Sequence, residues 1–241
     1  MAFILIFAGF IPSFLWLHFY LRKVLHPEPR RLLLEVFFFG ILLAPLAVAA
    51  QWVFAYIVSS LAPSFDVGNS SMFFLWSAFA EEVVKLLAVY YLVIHDREFN
   101  EPADAMIYLI TASLGFAALE NILVLFKNIG GGTEGCFFGL QSMWCILGFR
   151  AIGATLLHAL SSALVGYFFA LGWFYHHHSK KFIWLGIGLA TILHFTFNTL
   201  LLSFEALDGF FASSAVLLAM LFLISILFHR VQERSPSRFV V

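Results

Sequence analysis

Seven apolar runs, separated by short polar breaks, constrain this chain more than any other feature. They cover about residues 2–21, 34–61, 71–94, 105–126, 149–175, 182–204 and 210–229, and most match the ~20 residues that cross a bilayer. Lipid offers no partner for backbone N–H and C=O, so runs of this length fold as helices. The expected fold class is therefore all-α: one polytopic transmembrane helical bundle of about seven spans, a single integral membrane domain over residues 1–241. Composition agrees, with 62% hydrophobic and 11% charged residues. A net charge of −1 leaves no basic footprint for nucleic acid, and the bilayer is the partner the chain must have. Residues 1–21 carry neither a basic leader nor an Ala-x-Ala cleavage site, so they read as a retained first span.

Basic residues orient the bundle. Arg22, Lys23, Arg30, Arg31, Arg97, Lys180, Lys181, Arg230, Arg234 and Arg238 fall on one side, and only Lys127 lies in a loop on the other. The positive-inside rule then puts the N-terminus outside and the C-terminus in the cytoplasm, as an odd number of spans requires. The cell (plasma or inner) membrane is the expected location. Cys136 and Cys145 both fall on the outer side, where a disulfide is permitted, and two unpaired thiols are the equal alternative. The short apolar segment 136–147 is interfacial, re-entrant, or an outward extension of the fifth span. The His176-His177-His178 run reads as a solvated helix end rather than a metal site.

Inside the third run stand Glu81, Glu82 and Lys85. Each costs roughly 2.5–3.5 kcal/mol at the centre of a spanning helix, so a functional role is the default expectation. A helical repeat puts Lys85 within reach of both carboxylates. Other polar residues recur at one depth: Glu120 and Asn121 in the fourth run, His158 with Ser161 and Ser162 in the fifth, and His194 and Asn198 in the sixth. Glu81 is about ten residues in from Ser71, and His194 about ten from Phe204, or roughly 15 Å for each. Spans three to six are expected to enclose a polar cavity, with a catalytic core over about 71–204. The first, second and seventh spans are expected to be largely scaffold, although Gln51 lies in the second.

Taken singly, a membrane His or Asn is more often an interhelical hydrogen bond than a catalyst. Coincidence of depth on four helices argues for chemistry. Gly-x-Ser-x-Gly, the paired aspartyl pattern and His-Glu-x-x-His are all absent. Glutamates, histidines and an asparagine remain. Glutamate can activate water as a general base. His and Asn can donate to a developing oxyanion. Two histidines and a glutamate can also hold a divalent metal with a position left for water.

These residues resemble a known group. Glu81-Glu82-x-x-Lys85 resembles the Glu-Glu-x-x-Lys motif of the PrsW family of intramembrane proteases. Asp104 to Tyr108 followed by Leu114 to Asn121 resembles that family's second block, Arg150 through His158 to Gly166 the third, and His194 to Asn198 the fourth. The wider relatives are the CAAX prenyl endopeptidases and Abi-type membrane proteases. Leu86 with the cation at Lys85, and Glu120 where their second motif has His, set this chain closer to PrsW.

The resemblance implies an intramembrane peptidase acting on membrane-anchored proteins, including anti-sigma factors in regulated intramembrane proteolysis. The expected roles are Glu81 or Glu82 as general base and Lys85 as the cation that keeps one carboxylate ionised. His158 with Glu120 positions water or binds metal, His194 and Asn198 bind the oxyanion, and Asn121 and Arg150 give support. No cofactor is favoured. If Zn²⁺ is used, the expected ligands are His158, His194 and Glu120. The alternatives from other classes are a proton- or ion-coupled transporter with a midplane relay and a non-catalytic membrane scaffold. No inverted internal repeat favours the transporter.

Overall fold

The computed structural model describes residues 2–127, 143–176, 179–203 and 206–233. Among them every regular element is helical: α1 (Ala2–Leu21), α2 (Arg30–Leu61), α3 (Ser71–Val93), α4 (Pro102–Lys127), α5 (Met143–Ile152), α6 (Ala154–Ala170), a π-helical turn (Leu171–Tyr175), α7 (Lys180–Ser203) and α8 (Ala206–Glu233). Six helical stretches are long and apolar enough to cross a membrane. α3 has a comparable length, 23 residues, and is set apart by its three charged side chains. The molecule is an integral, multi-pass membrane protein. Large apolar side chains exposed on α1, α2 and α8, such as Phe7, Trp52 and Phe222, form its lipid-facing surface.

α4 is the axis of the bundle. Every residue from Pro102 to Ala118 is buried, with α1, α2, α3 and α6 packed around it. Close approach explains why α2 fits there. A Cβ on Gly40 would lie 2.1 Å from the Ala112 carbonyl oxygen, and one on Gly115 would lie 2.0 Å from that of Phe37. The two backbones touch through reciprocal glycines, the small-residue contact that drives helix association in lipid. α2 is therefore structural in a stronger sense than scaffold. It also enters the site, as shown below, which revises the expected division between spans three to six and the rest.

The fifth apolar run is not one helix. Gly153, at φ −92° and ψ −97°, separates α5 from α6. Its N–H still bonds the Phe149 carbonyl at 2.8 Å, and a Cβ there would sit 2.8 Å from that same oxygen. The break re-aims α5, so that Arg150 reaches back to α4. Met143–Leu147 form the first turns of α5, consistent with an extension of the fifth span. Cys136, and with it any Cys136–Cys145 pairing, lies outside the described residues, as do His177 and His178.

Candidate active site

Successive residues on a helix point about 100° apart, so Glu81 and Glu82 enter different surroundings. The Glu82 side chain is fully buried. Its Oε1 accepts from Lys85 Nζ at 2.8 Å, Ser161 Oγ at 2.9 Å and His194 Nδ1 at 3.1 Å, and its Oε2 accepts from Ser162 Oγ at 3.3 Å. A buried carboxylate needs such partners to remain ionised in low dielectric. Both of its oxygens accept from protein donors.

Glu81 differs. Its side chain is 13% exposed. Oε1 accepts from Gln51 Nε2 on α2 at 3.2 Å and from Ser77 Oγ, one turn back, at 3.4 Å. Oε2 is buried and makes no hydrogen bond among the described residues. It faces Lys85 Nζ at 3.8 Å, His158 Nδ1 at 3.9 Å and His194 Nε2 at 3.8 Å.

The remaining groups form one chain. Lys85 Nζ donates to His158 Nδ1 at 2.8 Å and lies 5.0 Å above the Phe116 ring, a cation–π contact. His158 Nε2–H donates to Glu120 Oε2 at 2.8 Å, and Arg150 Nη2 lies 3.0 Å from that oxygen. Arg150 Nε donates to Asn121 Oδ1, and the Asn121 amide nitrogen bonds Gly9 O on α1 and Thr155 Oγ1 on α6. The Glu120 side chain is 39% exposed, so the network is buried at Glu82 and opens at Glu120.

Eight of the residues expected from sequence thus meet in one network: Glu81, Glu82, Lys85, Glu120, Asn121, Arg150, His158 and His194. Asn198 lies one turn beyond His194 on the same face of α7. It is half-buried and makes no hydrogen bond among the described residues. His194 departs from expectation. With Nδ1–H given to Glu82, the neutral ring presents Nε2 as an acceptor, not as an oxyanion donor. Sequence reasoning left Gln51 and Ser77 without a role. The signals were a lone amide inside an apolar helix, and a serine four residues before Glu81. Asp104 and Tyr108, in the second resembling block, stand apart from the site. Asp104 Oδ2 accepts from the N–H groups of Asn100 and Glu101 at 2.9 and 2.7 Å and caps α4, while Tyr108 OH donates to Glu28.

The donor set bears on a metal. Glu81, His158 and His194 offer ligand atoms within 4.8 Å of one another, and Glu120 is on the far nitrogen of His158 rather than among them. Both nitrogens of His158 are already engaged, one by Lys85 and one by Glu120. A cation at Nδ1 would have to displace the Lys85 ammonium. Two atoms remain free, Glu81 Oε2 and His194 Nε2, one short of the three protein ligands of a catalytic zinc site. As arranged, these residues do not fit a catalytic metal.

The chain matches the family model described as PrsW family intramembrane metalloprotease over residues 28–227. It is 34% identical over 204 residues to the protease PrsW of Geobacillus kaustophilus, covering 84% of this chain and 82% of that one. It is 30% identical over 203 residues to the protease PrsW of Bacillus subtilis, covering 83% of each. A shorter match, 26% over 132 residues, is to the protease PrsW of Clostridioides difficile, covering 54% of this chain and 51% of that one. No solved structure matches it.

Proposed function

The chain belongs to the PrsW family of intramembrane proteases, and on that premise we propose that it hydrolyses peptide bonds of membrane-anchored proteins with Glu81 as general base and without a metal. The family membership removes the transporter and scaffold alternatives. The observation that carries the assignment of the base is the Glu81 Oε2 atom, buried without a hydrogen bond and facing His194 Nε2 across 3.8 Å. Two hydrogen bonds of ~2.8 Å from a single water reach across such a gap. That water gives one hydrogen to Glu81 and one to His194, and keeps a lone pair for the scissile carbonyl carbon.

On attack, Glu81 Oε2 takes the proton and the carbonyl oxygen becomes an oxyanion. The Asn198 amide is the donor for that oxyanion. As the C–N bond breaks, the proton held by Glu81 passes to the departing amine. Glu82 touches no substrate in this scheme. It fixes the His194 tautomer through Nδ1–H and anchors Lys85, whose ammonium faces Glu81 Oε2 at 3.8 Å. His158 and Glu120 hold Lys85 in place from the other side. Substrates of the anti-sigma-factor kind fit a protease embedded in the membrane, and fall within this proposal.

The test is cleavage of a panel of tagged single-span membrane proteins by purified protein, with Glu81→Gln as control and elemental analysis alongside. Cleavage that survives exhaustive chelation and vanishes in Glu81→Gln is the expected result. Stoichiometric zinc, with activity lost on its removal and regained on its return, overturns the metal-free mechanism.

A further inference from the structure

A groove of about 410 Å³ lies between α2, α3 and α7, lined by Phe54, Met72, Trp76, Phe79, Gly188 and Thr191 among others. Its rim is exposed and apolar, with Met72 at 46% and Ile192 at 56% exposure, so it opens towards lipid. Two features bear on its occupant. The first is Thr191, only 5% exposed, whose hydroxyl has no hydrogen-bond partner among the described residues. Thr111 and Thr196 give their hydroxyls to the carbonyl four residues back; Thr191 does not, nor does Thr199 further along α7, but only Thr191 lines the groove. The second is Gly188, where an added Cβ would meet no atom within 4 Å.

The groove leads to the site. On α3 the lining positions 72, 75, 76 and 79 follow the 3–4 spacing of one helix face, and the next member of that series is Glu82. On α7, three residues beyond Thr191 is His194. Glu82 and His194 are hydrogen-bonded to each other at 3.1 Å. On both walls, one turn onward reaches the hydrogen-bonded cluster that holds Glu81.

We propose that this groove holds the membrane-embedded segment of the substrate in extended form, with one of its backbone polar groups bonded to Thr191, before the scissile bond reaches Glu81. The proposal rests on the protease reading and names where that protease takes its substrate. An acyl chain fills an apolar groove equally well but offers nothing to the Thr191 hydroxyl. A peptide unwound for hydrolysis has backbone N–H and C=O groups that need partners in lipid. Gly188 leaves its side of the groove open to such a backbone.

The experiment uses the full chain carrying Glu81→Gln, reconstituted in vesicles, with p-benzoylphenylalanine placed at Leu75 or Ile192 in the groove, or at Leu218 on the exposed face of α8. The probe is a biotinylated Leu-rich peptide of ~20 residues with a central Gly-Gly pair, long enough to span the bilayer. Photocrosslinking to biotin at least tenfold stronger from the groove than from Leu218 is expected. Gly188→Phe should reduce it at least tenfold and Thr191→Val several-fold, with thermal unfolding unchanged in both. Equal labelling from Leu218, adducts with lipid only, or insensitivity to Gly188→Phe overturns the proposal. Because crosslinking needs no hydrolysis, its failure is separable from failure of the protease reading, which is judged by cleavage with wild-type protein.

Discussion

Glu81 and Glu82 are one residue apart and do opposite things. Glu82 is satisfied by four donors, whereas Glu81 keeps one oxygen free. Their substitutions should therefore separate. Glu81→Gln should abolish cleavage while thermal unfolding in detergent stays close to wild type. Glu82→Ala leaves the Lys85 ammonium buried and short of its nearest carboxylate, and should destabilise the fold by about 3–5 kcal/mol as well as abolishing cleavage. Equal stability of the two variants would contradict the division of roles. Asn198→Ala should lower kcat by about 10²–10³ with little change in KM, the signature of a donor that acts in the transition state. An unchanged kcat would remove Asn198 from the mechanism. The sequence identified these residues because charge inside an apolar run is costly and their common depth is countable. It could not say which carboxylate serves as base. That depends on Ser161, Ser162 and His194 arriving from α6 and α7 on one side of α3, and Gln51 from α2 on the other.

At the scale of elements, α4 and its crossing with α2 set the geometry. Each glycine of the pair faces a backbone oxygen, which cannot move as the end of a side chain can. Gly40→Ala and Gly115→Ala should each cost stability at the upper end of the ~1–3 kcal/mol typical of overpacking, and separate α2 from α4. Since Gln51 on α2 orients Glu81, cleavage should fall with stability in both variants. Thermal unfolding and cleavage, measured on the same preparations, check this. The seven runs gave no hint that α4 would be the axis, because periodicity cannot distinguish a helix buried all round from one facing lipid when both are apolar throughout. The division of the fifth run was equally hidden. Gly153 is a single residue in an apolar stretch, and a glycine within a helix is often tolerated. The break shows only in the turn of the backbone that brings Arg150 to Glu120.

For the whole molecule, hydropathy was enough to reveal the class of fold, since lipid leaves a chain of this composition no other economical form. The distribution of basic residues makes orientation a testable expectation. Cysteine labelling should reach residues 96–101 from the cytoplasmic side and residues 131–134, which lie outside the described residues, from the other. Labelling of both from one side would refute the odd number of spans. The buried network also has a history in time. During synthesis α3 leaves the ribosome long before His158 and His194 exist, so its two carboxylates must enter the membrane without the imidazoles that later surround them. Lys85, three residues from Glu82 and four from Glu81, is the one cation α3 brings with it, and it already lies 2.8 Å from Glu82. An isolated α3 segment should consequently insert less efficiently as Lys85→Gln than as wild type, although the change removes a charge. Equal insertion in a translocon assay would mean that the pair forms only once the bundle has closed.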